Sequence, residues 1–241
     1  MFYFSKRTGL FDMWNAFMCE NATFSERDIP YCPTIMTELP KSIITWDEAV
    51  KIYKRTYSKD HNFKVDSFIC FYIDDQKFDG VRSSIWLFPR RALKILKHFR
   101  GIITPDFSTY QDFPYPIKIY NTYRMRAFGY WIGREGLEVI NNFRCGTEES
   151  YHYCFDGIPK NSIVAIGTVG GSPRQLIDRQ RFIQGLYEMV RRLNPHTIIV
   201  YGSANYECFE ELKKQGINII PYKSHTCAAF ENRRKKNEQI I

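Results

Sequence analysis

Short apolar segments of strand length recur along the chain, and segments with helical spacing of apolar residues separate them. The strand-like segments are 66–73, 101–104, 137–140, 162–166, 197–202 and 217–220. A strand that is apolar at consecutive positions is buried on both faces, as in a parallel sheet covered by helices. The alternation therefore predicts repeating strand–helix units with parallel pairing and right-handed crossovers.

Helices are expected between these strands, and the apolar residues at helical spacing indicate where each helix begins and ends. They cover 47–57, a segment beginning at Pro89, 116–134, 176–193 and 206–215. Barrels and open doubly wound sheets are both built from such units, and we favour the barrel. We predict an α/β fold, barrel-like and of the TIM type, which can be incomplete with fewer than eight units.

The chain is expected to form a single domain, because 241 residues are commonly used as one α/β unit. Residues 1–40 are aromatic and interrupted by prolines, which predicts an irregular N-terminal extension. Residues 41–225 would be the strand–helix core and 226–241 a basic tail. The tail is either a solvated end or an arm that contacts phosphates.

The charge balance bears on partners. Lys and Arg total 34 against 26 Asp and Glu, a formal net charge of +8. This excess favours a polyanionic partner, either a nucleic acid (DNA or RNA) or an anionic membrane surface, and of these we favour the nucleic acid, since each neutralised phosphate releases counterions. No apolar run approaches the roughly 20 residues that span a bilayer, so we expect no membrane partner and a location in the cytoplasm of the host cell.

The seven cysteines contain no Cys-x-x-Cys pair, and the histidines have no metal-ligand spacing. The cysteines are therefore interpreted as reduced thiols. We expect neither a metal site nor a cofactor.

Candidate site residues are those that follow the strands, because ligands of parallel α/β folds bind at the carboxyl ends of the strands. They are Asp74 and Asp75; Asp106 and Ser108; Asn141 and Asn142; the glycine loop 167–171; Tyr201, Ser203 and Asn205; and Tyr222, Lys223 and His225.

Asp106 is the sharpest candidate for chemistry. It directly follows Pro105 at a strand end and precedes Ser108 and Tyr110. A carboxylate in this position can act as a nucleophile or a base. The alternative is an aspartate that only caps the following turn.

Two further segments could contact a ligand. Gly167, Thr168 and Gly170 precede a helix, where backbone N–H groups can approach a phosphate, although a tight turn explains them equally well. The predicted helix 116–134 interleaves aromatic and basic residues, a mixture suited to stacking bases and holding phosphates. Its candidates are Asn121, Tyr123, Arg124 and Arg126, although part of this helix must face the core.

Several of these motifs resemble a known family. The segment Pro105-Asp106-Phe107-Ser108 with Tyr110, Asp112 and Pro114, and the segment Asn121-x-Tyr123-Arg124-x-Arg126, resemble the uncharacterised domain of unknown function 4417. Further matching stretches are 154–159, 162–170 and 201–202. The resemblance covers about residues 65 to 225. It implies a phage or mobile-element protein and brings no established activity.

A more distant resemblance links the order of a strand-end Asp, Ala165-Ile166-Gly167-x-x-Gly170 and Tyr201-Gly202 to the tRNA-guanine transglycosylase and DNA base-exchange barrels. It implies that Asp106 works at a glycosidic bond, while Gly167 and Gly170 line a base pocket. The chain departs from that pattern, because those enzymes have Asp-Ser-Gly, a late strand-end Asp and a zinc cluster of Cys and His. The alternatives to base exchange are therefore hydrolysis of the glycosidic bond, which removes the base, and binding without reaction.

The resulting hypothesis is a barrel-type enzyme acting on a nucleotide or nucleic-acid base. Asp106 would be central, with Asp74 or Asp75 assisting. Asn121 and Tyr123 would lie near the base, and Arg124 and Arg126 near phosphate. The alternatives are a non-enzymatic nucleic-acid-binding or counter-defence factor, and a protein that holds a free nucleotide messenger.

Overall fold

A computed structural model describes residues 12–169 and 176–224, and it contains one sheet of seven parallel strands. The strands are β1 Ile43–Thr45, β2 Val65–Cys70, β3 Phe99–Ile103, β4 Glu138–Asn142, β5 Ile163–Gly167, β6 Thr197–Tyr201 and β7 Asn218–Tyr222. The predicted α/β fold of parallel strand–helix units is confirmed. Among the residues predicted to be functional, Gly170, Gly171, His225 and the tail 226–241 lie outside the described residues.

Helices connect the strands close to the predicted boundaries. They are α1 Trp46–Thr56, α2 Pro89–Leu96, α3 Tyr115–Arg134, α4 Leu176–Leu193 and α5 Glu207–Lys214. The start of α1 is stabilised by a capping box, in which Thr45 and Glu48 bond to each other's backbone N–H groups. Gly136 and Gly216 follow α3 and α5 with φ angles of +88° and +87°, the left-handed conformation that a residue with a side chain rarely adopts. None of the described helices is long and apolar enough to cross a membrane.

The first strand was not predicted from the sequence. β1 has only three residues and lies directly before α1, so no apolar run of strand length marks it. It pairs in parallel with β2, from Ile43 opposite Phe68 to Thr45 opposite Cys70. The order of the sheet is therefore sequential from β1 to β7, as in a TIM-type barrel.

Side chains from all seven strands meet in one apolar cluster, which shows that the sheet is strongly curled. The buried members of the cluster are Ile43, Phe68, Cys70, Ile103, Ile140, Ala165, Ile199 and Tyr201, and Ile220 and Tyr222 of β7 pack against them. The Tyr72 ring, just after β2, stacks on Tyr201 at the end of β6 with 5.6 Å between ring centroids. Within the described part of the chain, β1 and β7 do not pair. The fold is thus an incomplete barrel with a filled interior.

The N-terminal extension packs along α3 and β4 on the outside of this sheet. Ile35 forms an antiparallel bridge with Val139, and Cys32 is fully buried. The hydroxyl groups of Tyr120 and Tyr123 donate hydrogen bonds to backbone oxygens of the extension. Much of the aromatic surface of α3 is covered in this way.

Candidate functional site

A cavity of about 680 Å³ opens at the carboxyl ends of the strands. This size lies within the roughly 300–1,000 Å³ typical of small-molecule sites. Residues that follow β2, β3, β4 and β5 line it, together with one face of α4. Among the predicted site residues, those that line the cavity are Asp74, Asp75, Asp106, Ser108, Tyr110, Asn142, Gly167 and Val169.

The Asp106 carboxylate is held by two donors from the end of β4. Asn142 Nδ2 donates to Asp106 Oδ1 over 2.9 Å, and Arg144 Nη1 donates to Oδ2 over 2.6 Å. The Asp106 side chain is 12% exposed and the Arg144 side chain 33%, so the carboxylate is the more shielded partner of the ion pair. Its negative charge raises the pKa of Arg144, which stays protonated. Asp106 is therefore held in a fixed orientation at the cavity.

Asn142 is in turn held from several directions. The Tyr72 hydroxyl donates to Asn142 Oδ1 over 2.9 Å, so the amide nitrogen points to Asp106. The Asn142 backbone N–H donates to Thr104 Oγ1, and its carbonyl accepts a hydrogen bond from Arg126. Burial, and secondly the Asp106 charge, place the pKa of Tyr72 well above its usual value. Tyr72 therefore remains a hydrogen-bond donor at neutral pH.

Asp75 is the second carboxylate of the cavity, and its surroundings differ from those of Asp106. Ser108 donates to it twice, from Oγ to Oδ1 over 2.9 Å and from the backbone N–H to Oδ2 over 3.1 Å. Burial raises the pKa of Asp75 and the neighbouring Asp106 charge adds to the rise, against the opposing effect of Ser108. Asp75 thus keeps a proton to higher pH than a free aspartic acid does. Asp74 next to it is exposed.

The basic and aromatic residues predicted on α3 have internal partners. Arg124 forms an ion pair with Asp79 over 2.7 Å and lies over the Phe107 ring, 3.9 Å from its centroid. Arg126 is 1% exposed and donates to backbone oxygens. Tyr123 donates to the backbone oxygen of Trp14. These residues support the site and the N-terminal extension rather than line the cavity.

Three other predicted residues also lie away from the cavity. Asn141 points to the opposite face of β4 from Asn142 and donates to the Cys32 backbone oxygen over 2.8 Å. Thr168 is buried, and its hydroxyl donates to the Ser203 backbone oxygen. Tyr201 belongs to the barrel interior and borders a smaller cavity of about 170 Å³. The structure thus divides the predicted site residues into those that line the cavity and those that face other parts of the fold.

Two central residues, Tyr72 and Arg144, were not selected from the sequence. Side chains alternate between the two faces of a strand. Tyr72 continues the inward-facing series of Phe68 and Cys70, and Arg144 continues that of Ile140 and Asn142. Extending the alternation two residues beyond each strand could have found both.

Gly167 has no room for a side chain. A Cβ atom at this position would lie 2.6 Å from the Tyr72 ring, which is backed by Tyr201. We expect Gly167→Ala to lower the free energy of unfolding by about 1–3 kcal/mol, because the stacked ring must shift. Urea unfolding checks this. Gly146→Ala is the matched control at the same cavity, since nothing lies within 4 Å of its added Cβ. Equal stability of the two variants would contradict the prediction.

Comparison with known proteins gives a family and relatives. The model of the family described as "Domain of unknown function (DUF4417)" matches residues 24–223, which confirms the resemblance found in the sequence. The Gene 1 protein of Mycobacterium phage L5 is 32% identical over 148 residues, 61% of this chain and 62% of that protein. The Gene 1 protein of Mycobacterium phage D29 is 29% identical over 205 residues, 85% of this chain and 70% of that protein.

The phage setting predicted from the sequence agrees with both relatives. The match spans less than two thirds of the L5 protein. No solved structure matches the chain significantly. The resemblance to transglycosylase barrels stays a prediction.

Proposed function

This chain belongs to the DUF4417 family, whose description assigns no activity, and we propose that its strand-end cavity is an active site for the glycosidic bond between a base and a sugar. One observation carries the proposal: two neighbouring carboxylates have different environments. Asp106 is ion-paired with Arg144, whereas burial raises the pKa of Asp75. A carboxylate held by an ion pair and a neighbouring acid whose pKa is raised by burial can divide the roles of electrostatic stabiliser and proton donor.

The proposed reaction uses both groups. As the bond between C1′ of the sugar and the base nitrogen breaks, positive charge develops on the sugar, and the Asp106 carboxylate stabilises it. Asp75 gives its proton to the departing base nitrogen. Water, or a second base, then bonds to C1′ and returns a proton to Asp75. Water as acceptor gives base removal, and a second base gives base exchange.

The substrate class follows from the cavity and the charge. The cavity volume of about 680 Å³ is that of a small-molecule site, so we assign it a single nucleotide unit, and a base in a nucleic acid must be unpaired or flipped out of its stack. The net charge of +8 supports a DNA or RNA partner, in the cytoplasm of a phage-infected host cell. Arg181 of α4 also lines the cavity, and within residues 12–169 and 176–224 no carboxylate forms an ion pair with it. It is the group we assign to a substrate phosphate.

A nucleotide-binding protein without catalysis is the second candidate. Arg181 favours it, since a cavity arginine can hold a phosphate with no reaction following. Such a protein would bind nucleotides with an affinity that Asp106→Asn leaves unchanged. The two candidate functions therefore differ in whether a reaction depends on Asp106.

The deciding experiment is a search for released bases. The protein is incubated with nucleosides, nucleotides, RNA, and single- and double-stranded DNA, and free base is quantified by chromatography. We expect release from at least one unpaired substrate. Saturable nucleotide binding with no base released from any substrate would establish the second candidate instead.

Asp75 gives a prediction with a defined pH dependence. A proton donor works in its protonated form, so base release should fall as the pH rises through the Asp75 pKa, which lies above that of free aspartic acid. Asp75→Asn should slow release of a natural base by about 10²–10⁴-fold. It should spare p-nitrophenyl riboside, whose leaving group needs no proton. Equal losses on both substrates would contradict the role of acid.

A further inference from the structure

We propose that Asn121, anchored by the Arg124–Asp79 ion pair, is a positioning residue that controls the protonation of Asp75. The inference rests on the proposed function for its catalytic meaning, but its geometry is independent of any substrate. The proposal also gives a role to the aromatic and basic part of α3, which the sequence analysis assigned to nucleic-acid binding. These residues form a chain of contacts that ends at Asp75.

The chain begins at a shielded ion pair. Arg124 Nη1 lies 2.7 Å from Asp79 Oδ2, and the two side chains are 11% and 18% exposed. Ser84 Oγ donates to the other Asp79 oxygen over 3.0 Å. The guanidinium group also lies over the Phe107 ring. Arg124 is thus fixed in position and orientation.

Arg124 determines which way the Asn121 amide points. Its Nε and Nη2 atoms donate to Asn121 Oδ1 over 3.2 and 2.7 Å. Because an arginine only donates hydrogen bonds, the amide oxygen must face it and the amide nitrogen must face away. That nitrogen donates to the Ser108 backbone oxygen over 2.5 Å. Asn121 is 4% exposed, so water does not compete effectively for this contact.

The last contact reaches the carboxylate. Asn121 holds the Ser108 carbonyl, while the Ser108 N–H and hydroxyl both donate to Asp75. Donors to the ionised form lower the pKa of an acid, whereas burial raises it. The charges that face Asp75 are Asp106, which raises its pKa, and Arg144, which lowers it, and the position of Ser108 sets the larger hydrogen-bond opposition to burial. Asn121 acts on Asp75 only through Ser108 and does not line the cavity.

Two substitutions of Asn121 test this chain without removing the ion pair. Asn121→Leu removes the donor to Ser108 and adds no charge. Asn121→Asp keeps an oxygen for Arg124, but turns a second oxygen toward the Ser108 carbonyl and repels it. In both variants Ser108 should lose its position and its hydrogen bonds to Asp75. The Asp75 titration midpoint should then shift to higher pH.

The measurement is a carbon-13 NMR titration of side-chain carboxyl groups, with the Asp75 signal assigned by its absence in Asp75→Asn. Asn218→Asp, an exposed position on β7, is the control for added charge and should leave the Asp75 midpoint unchanged. A shift in both Asn121 variants supports the proposal. A shift in Asn121→Asp alone would show a charge effect without positioning, and overturn it.

Stability and activity complete the test. An unchanged Asp75 midpoint together with a lowered resistance to urea would show that Asn121 is merely structural, which also overturns the proposal. If the wild-type protein releases base, the falling limb of its pH profile should shift to higher pH in Asn121→Leu. If it releases none, the proposed function fails, while the titration still decides the role of Asn121.

Discussion

Replacing Asp106 with asparagine is expected to lower kcat/KM for base release by about 10²–10⁴-fold. The substitution keeps the size of the side chain but removes the negative charge that would face the developing positive charge on the sugar. It also puts one amide nitrogen opposite a donor, because both partners of Asp106, Asn142 Nδ2 and Arg144 Nη1, donate hydrogen bonds to it. The loss should extend to p-nitrophenyl riboside, since charge stabilisation is needed whatever the leaving group.

The matched control is Asp112→Asn on the same loop, where the side chain is exposed and does not line the cavity. It should retain wild-type activity. Nucleotide binding and urea unfolding show whether Asp106→Asn is still folded and able to take up its ligand. A folded Asp106→Asn protein with unchanged base release would refute the catalytic role of Asp106.

Arg126→Ala is expected to lower the free energy of unfolding by about 3–5 kcal/mol, from the void and the unpaired carbonyl groups that it leaves. The guanidinium group is buried and donates to the backbone oxygens of Asp156, Asn142 and Cys154. Removing it leaves a void and three carbonyl groups without this partner, each costing about 1–3 kcal/mol where water cannot replace it. Burial lowers the pKa of Arg126 to about 10, so the group is still protonated at neutral pH.

Urea unfolding followed by circular dichroism measures this loss. Arg134→Ala on the same helix is the control, because its ion pair with Glu20 is at the surface and such pairs contribute at most about 1 kcal/mol. Arg126→Ala should also disturb Asn142, whose carbonyl it holds, and thereby the Asp106 carboxylate. A loss in Arg126→Ala no greater than in Arg134→Ala would show that the buried contacts contribute little.

The contrast between Arg124, Arg126 and Arg144 explains where sequence reasoning about the site failed. The first two lie in an aromatic and basic stretch that is typical of nucleic-acid binding, but Asp79 and distant backbone carbonyls take up their charge. Arg144 lies in a loop with no distinctive pattern, and yet it contacts Asp106. Residue type and neighbouring residues do not identify the partners of these arginines, which lie 16 to 45 residues away along the chain.

The sequence by itself determined the order of the helices and of strands β2 to β7, because the period of apolar residues is a local property of each segment. It also located Asp75, Asp106 and Ser108, since the polar residues that follow parallel strands meet at one edge of the sheet. Only the tertiary structure decided that the sheet curls, which brings Tyr72 against Tyr201 and Asn142 against Asp106. It also decided which face of β4 each asparagine takes and which arginines are buried. Alternation along a strand places neighbouring side chains on opposite faces, but which face is turned to the cavity depends on packing between segments far apart in the chain.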